Sequence, residues 1–178
     1  NVRVSTFFFL NFNIFALFFR SNQTFFIVFA SAMQQDYLVF PSMIGAVSGL
    51  TWPYDNATDV RGFSAPIPIE ITARKCHNLS ICVWYVSPLQ SLGDAEGTQF
   101  ALFGEWNKWT AVSQQRFTSI DIDTTNNRAV ITLEGVADEV VPVVVFHSVL
   151  LSVTVNCRIA ADNSPARVTV TTSTVTCS

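Results

Sequence analysis

The sequence predicts an all-β protein: an antiparallel β-sandwich, immunoglobulin-like or jelly-roll, with an extended Phe-rich N-terminal arm. Three observations predict it. From Ile67 onward β-branched residues dominate in short runs, IPIEIT, AVITL, VVPVVVF, SVTVN and RVTVTTSTVT, with no sustained 3.6-residue period. Turn signals separate these runs at sandwich spacing, which gives about seven or eight strands. The first 40 residues differ from the rest, holding a large share of the 16 Phe. The boundaries that follow are an arm over 1–40, a loop or linker over 41–66 and a sandwich domain over 67–178.

The arm opens NVRVSTFFFLNFNIFALFF. Val2, Val4, Thr6, Phe8, Leu10, Phe12, Ile14, Ala16 and Phe18 occupy the even positions, while Asn1, Arg3, Ser5, Asn11 and Asn13 are all odd. That parity gives a strand one wholly apolar face. At about 3.3 Å per residue the stretch extends roughly 60 Å, far beyond one sandwich strand. An apolar strand with open edges aggregates, so the arm must fold back as two strands or join the sheet of a neighbouring molecule. Joined head to tail, such contacts do not close and build a fibre.

A signal peptide is the competing reading. TFFIVFASA ends in the small-x-small triplet Ala30-Ser31-Ala32, with Arg20 as a basic flank, and cleavage would start the mature chain near Met33. A membrane span is excluded for the run Phe7–Phe19, because Asn11 and Asn13 interrupt it and Arg20 to Gln23 end it well short of about 20 apolar residues.

The stretch SGLTWPYDNATDVRGFSAP, rich in turn residues, separates arm from sandwich. In IPIEITARKCHNLSICVWYV, pairing Cys76 with Cys82 puts Ile67, Ile69, Ile71, Ala73, Ile81, Val83 and Tyr85 on one face. Core pattern and disulfide agree there, leaving Cys157–Cys177 by subtraction. A tight turn at DNSPA would instead set Cys157 opposite about residue 169, which counts against that second pair. TQFALFGEW reads as a strand, and FTSIDIDTTNNRAVITLEGV as a hairpin turning at TTNN. Pro142 puts VVPVVVF at an edge or bulge. SVLLSVTVNC and a half-buried ARVTVTTSTVTC complete the set.

Net charge is −3 and only 13% of residues are charged. Lys75 and Lys108 are the only lysines, so the concentrated basic surface that nucleic acid needs is missing. No nucleophile elbow or Ser/His/Asp set can be assembled, and the expectation is no enzyme, no cofactor and no metal. His77 and His147 lack Cys or His at ligand spacing. Asp121 and Asp123 share a strand face about 7 Å apart, a spacing open to a glycosidase pair or calcium but better read as a solvent face. Asp55, Asn56 and Asp59, and likewise Asp94 and Glu96, read as turn residues before calcium ligands.

Trp106 and Trp109 in FGEWNKWT could stack on a pyranose ring beside Asn107 and Lys108, although core packing is the commoner role for such indoles. Sequons at Asn22, Asn56 and Asn78, together with four cysteines, point to an extracellular, N-glycosylated protein. The functional expectation is a structural subunit whose partner is itself, in a head-to-tail homopolymer held by the arm. The alternative is a secreted carbohydrate-binding or adhesive sandwich whose residues 1–32 are removed.

Overall fold

A computed structural model describes residues 5–9, 12–20, 36–41, 61–63 and 81–178. Among them every helix or strand is a strand, as the β-branched runs require. Val2, Val4, Leu10, Asn22, Asn56, Cys76, His77 and Asn78 lie outside the described residues, as do the signal cleavage site and most of 41–66. Phe8, Phe12, Ile14, Phe18 and Cys82 are described as backbone strand, and their side chains lie outside. The Cys76–Cys82 pairing is therefore outside as well.

The chain divides into two units, Asn1–Leu89 and Gln90–Ser178. The first holds a five-stranded antiparallel sheet ordered β1-β2-β5-β3-β4, from β1 (Ser5–Phe9), β2 (Phe12–Arg20), β3 (Tyr37–Pro41), β4 (Arg61–Phe63) and β5 (Ile81–Pro88). Phe9 stands opposite Phe12 where β1 turns back on β2, and Phe19 stands opposite Cys82 in the β2–β5 ladder. Tyr37, Leu38, Phe40 and Val86 are buried. Strand β5, expected in the sandwich, has β2 and β3 as its neighbours.

The second unit is a sandwich of two four-stranded antiparallel sheets. One runs β11-β10-β7-β6, from β6 (Gln90–Ser91), β7 (Gln99–Glu105), β10 (Val140–His147) and β11 (Leu151–Arg158). The other runs β13-β12-β9-β8, from β8 (Phe117–Asp123), β9 (Arg128–Leu133), β12 (Ala166–Thr171) and β13 (Val175–Cys177). Consecutive strands form hairpins, and successive hairpins go to alternate sheets. Each strand's period-2 alternation supplies the inner layer: Ala129, Ile131 and Leu133 from β9, Val141, Val143 and Val145 from β10, and Ala166, Val168 and Val170 from β12. Phe100, Leu102, Phe117 and Ile159 fill the space between them. Each such side chain contributes about 1.5–3 kcal/mol of burial.

The hairpin over TTNN forms as the sequence predicts, with Asp123 opposite Arg128. Asn126 donates from its backbone N–H and its side-chain amide to the Asp123 carboxylate, and Asn127 takes the left-handed conformation at φ 50°.

One expectation is met in its second form and one is corrected. Of the edge or bulge expected for VVPVVVF, β10 is not an edge strand, because β11 and β7 flank it, but its ladder with β7 carries a bulge. Pro142 is accommodated where the β7 ladder ends: its carbonyl accepts from Trp106 N–H, and the register irregularity lies further along, between Val144 and Val145. ARVTVTTSTVTC is not one strand but the hairpin β12–β13, in which Val170 stands opposite Val175 and Val168 opposite Cys177. The objection to Cys157–Cys177 falls with these. DNSPA carries the chain from one sheet to the other, so β11 and β12 do not pair, and the last hairpin returns Cys177 to the sandwich edge beside β11. The disulfide joins edge strands of opposite sheets, with Cα atoms 5.4 Å apart. It belongs to an oxidising setting.

Candidate functional site

At the end of the sandwich where β7 finishes, a cluster of charges grows out of a backbone irregularity. Val144 pairs with Gly104 but Val145 pairs with Leu102, so Phe103 is the extra residue of a bulge. Gly104 has φ 98°, and a Cβ there would collide with the carbonyl of Ala111. Only glycine allows that backbone approach, which is sealed by Glu105 N–H donating to Ala111 O at 2.6 Å. The bulge resets the alternation. Glu105 now stands opposite Val143, a core residue, and its side chain is 10% exposed.

Arg116, just ahead of β8, answers that carboxylate. Its Nε donates to Glu105 at 3.3 Å, while Nη1 and Nη2 donate to the two Glu139 oxygens at 2.8 and 2.7 Å. Nη1 also donates to the Glu134 carbonyl at 2.8 Å, and Lys108 approaches Glu105 at 3.5 Å. The two-pronged bond to Glu139 raises the Arg116 pKa further and holds the Glu139 carboxyl below its ordinary value. Gly135 lies against this pair, with no room for a Cβ beside Arg116 and Glu139. A guanidinium already engaged by two carboxylates and a carbonyl is a clamp, not a proton donor. It ties β7, the entry to β8 and the loop over residues 134–139.

The indoles sit in the adjoining loop. Trp106 is buried at 9% exposure and Trp109 is 59% exposed. Asn107, between them, takes the left-handed conformation at φ 59°. The structure thus presents one of the two rings to solvent and packs the other.

The opposite end holds His147, which is fully buried. Its Nδ1 accepts from the N–H groups of Val149 and Leu150 at 3.1 and 3.2 Å, so the ring hydrogen belongs on Nε2, which donates to Thr171 O at 2.8 Å. His147 thereby links β10 to β12 across the sandwich and shapes the β10–β11 turn. Its position at the end of VVPVVVF carries no sequence signal for this role.

The remaining carboxylates are engaged separately. Asp121 accepts from Ser119 Oγ at 2.9 Å, and Asp123 caps its turn through Asn126. Asp94 accepts from the Thr98 hydroxyl and N–H at 2.5 and 2.7 Å, and the hydroxyl bond lowers its pKa first of all. Among the described residues no group of three or more His, Cys, Asp or Glu is placed to hold a metal ion. Among the same residues no helix is long and apolar enough to cross a membrane. No protein-family model, curated protein or solved structure matches the chain.

Proposed function

We propose that the chain is an extracellular, N-glycosylated structural subunit whose copies join into filaments by exchanging the Phe-rich N-terminal arm. The observation that carries this reading is the arm's parity. Nine even positions from Val2 to Phe18 bear neither charge nor amide, and a strand with such a face needs a sheet to cover it. The sequons at Asn22, Asn56 and Asn78 and the Cys157–Cys177 disulfide fit an oxidising, secreted setting.

Deleting residues 1–30 tests it. The full chain is expected to give filaments in electron micrographs and the shortened chain soluble particles. Filaments from both would end the proposal. A second reading, a sugar-binding module, is favoured by the 59% exposure of Trp109 beside Lys108. Binding on a glycan array that Trp109→Ala removes would support it, and an array without signal would discard it.

A further inference from the structure

The hairpin β10–β11 closes over three residues, because His147 stands opposite Leu151. Three-residue loops of this kind commonly end on a residue in the left-handed conformation, a place that glycine fills at least cost. Here it is Leu151, at φ 64°. A strained backbone position that keeps a large aliphatic side chain points to a use for that side chain. Its neighbours share the character: Val149, Leu150 and Leu151 are 66%, 39% and 47% exposed, three consecutive aliphatic residues at the tip.

The backbone of this tip also differs from that of a turn built for water, which leaves N–H groups to the solvent. The Ser148 N–H donates to Gln99 O at 2.9 Å, and the N–H groups of Val149 and Leu150 both donate to His147 Nδ1. All three loop donors are satisfied inside the protein. His147 holds two of them from a fully buried position, as the neutral ring that donates through Nε2 to Thr171 O. From Val140 to Cys157 the hairpin contains no Asp, Glu, Lys or Arg. An uncharged tip with its N–H groups already paired can enter hydrocarbon without leaving one of them orphaned, which is the condition a bilayer imposes.

The observations favour lipid over a protein partner. Three consecutive residues cannot share one strand face, so a shaped surface would engage only part of the set, whereas fluid acyl chains surround all of it. A protein interface also takes about 20–30 residues a side. Charge selects the headgroup. The β6–β7 loop, tied to the tip through Gln99 and Ser148, carries Asp94 and Glu96, and its Gly93 lies against Thr124, beside the Asp123–Arg128 pair. This end of the sandwich is net negative, which suits a neutral phosphocholine surface and opposes an anionic one.

We propose that Val149, Leu150 and Leu151 form a membrane-docking tip that inserts into the outer part of a zwitterionic bilayer. The full chain should float with phosphatidylcholine vesicles in a density gradient. Val149→Asp and Leu150→Asp, both at exposed positions, are each expected to lower the bound-to-free ratio about tenfold, since each removes an inserted aliphatic group and sets a charge in its place. Val136→Asp, 72% exposed beyond the other end of the hairpin, should leave the ratio within about twofold. Mixing phosphatidylserine into the vesicles should weaken flotation. The arm is common to all these chains, so the comparison does not depend on it. No flotation of the full chain, flotation unchanged in Val149→Asp and Leu150→Asp, or stronger flotation on the serine lipid overturns the proposal. So does a change in oligomer size of Leu150→Asp on ultracentrifugation without vesicles, which would make the tip a protein contact.

Discussion

Arg116 and Glu139 form the strongest ion pair in the sandwich by geometry, two-pronged and partly sheltered, with side chains 17% and 31% exposed. Because the bond to Arg116 lowers the Glu139 pKa in the folded chain, its stabilising contribution is complete above the unfolded value of 4.5 and disappears as pH falls through the lower folded value. Glu139→Gln is therefore expected to lower stability by about 1–3 kcal/mol at pH 7, since it leaves a half-sheltered guanidinium underpaired. The gap between the two proteins should close progressively as pH falls below 4.5. Thermal melts from pH 7 to pH 3 check both the size and the closure, and a gap unchanged at pH 3 would refute the assignment. This cluster was not legible in the sequence. Glu105 turns inward only because Phe103 is an extra residue in β7, and an alternation count through FALFGE puts Glu105 on the outer face. Gly104 was the available signal, a glycine inside a strand.

At the level of elements the last hairpin has the largest effect. TTST reads as part of one strand, since Thr is a good strand former, yet Thr171 N–H donates to Thr174 O and the chain reverses there. The consequence is the disulfide. Tying residues 20 apart in sequence is worth about 3 kcal/mol. Replacing both Cys157 and Cys177 by Ala should lower the melting temperature by roughly 10–20 °C in a unit of this size. Calorimetry of the double variant checks it, and a fall below about 3 °C would show that the edges hold without it. The strands and turn of the β8–β9 hairpin, by contrast, were legible, because Ile120, Ala129, Ile131 and Leu133 alternate cleanly and TTNN allows the turn, while the irregularity between Phe117 and Ser119 and the exposure of Ile122 were not.

On the scale of the whole molecule, the class and the layered sandwich follow from strand length, turn spacing and period-2 alternation. The pairing of hairpins does not. Nothing local in TQFALFGEW says that β7 will lie beside β10 and not beside β8, since that choice is made by packing between segments far apart in sequence. Strand β5 shows the same ambiguity, since its apolar residues suit either sheet. The alternate dealing of hairpins has a consequence for biosynthesis. Each hairpin can close soon after it leaves the ribosome, but β7 waits for β10 and β9 for β12 before either gains its lateral neighbour. A nascent chain that has not yet delivered Ala166–Thr171 carries β9 with one flank bare, and the half-built core then depends on chaperones or speed to escape clumping.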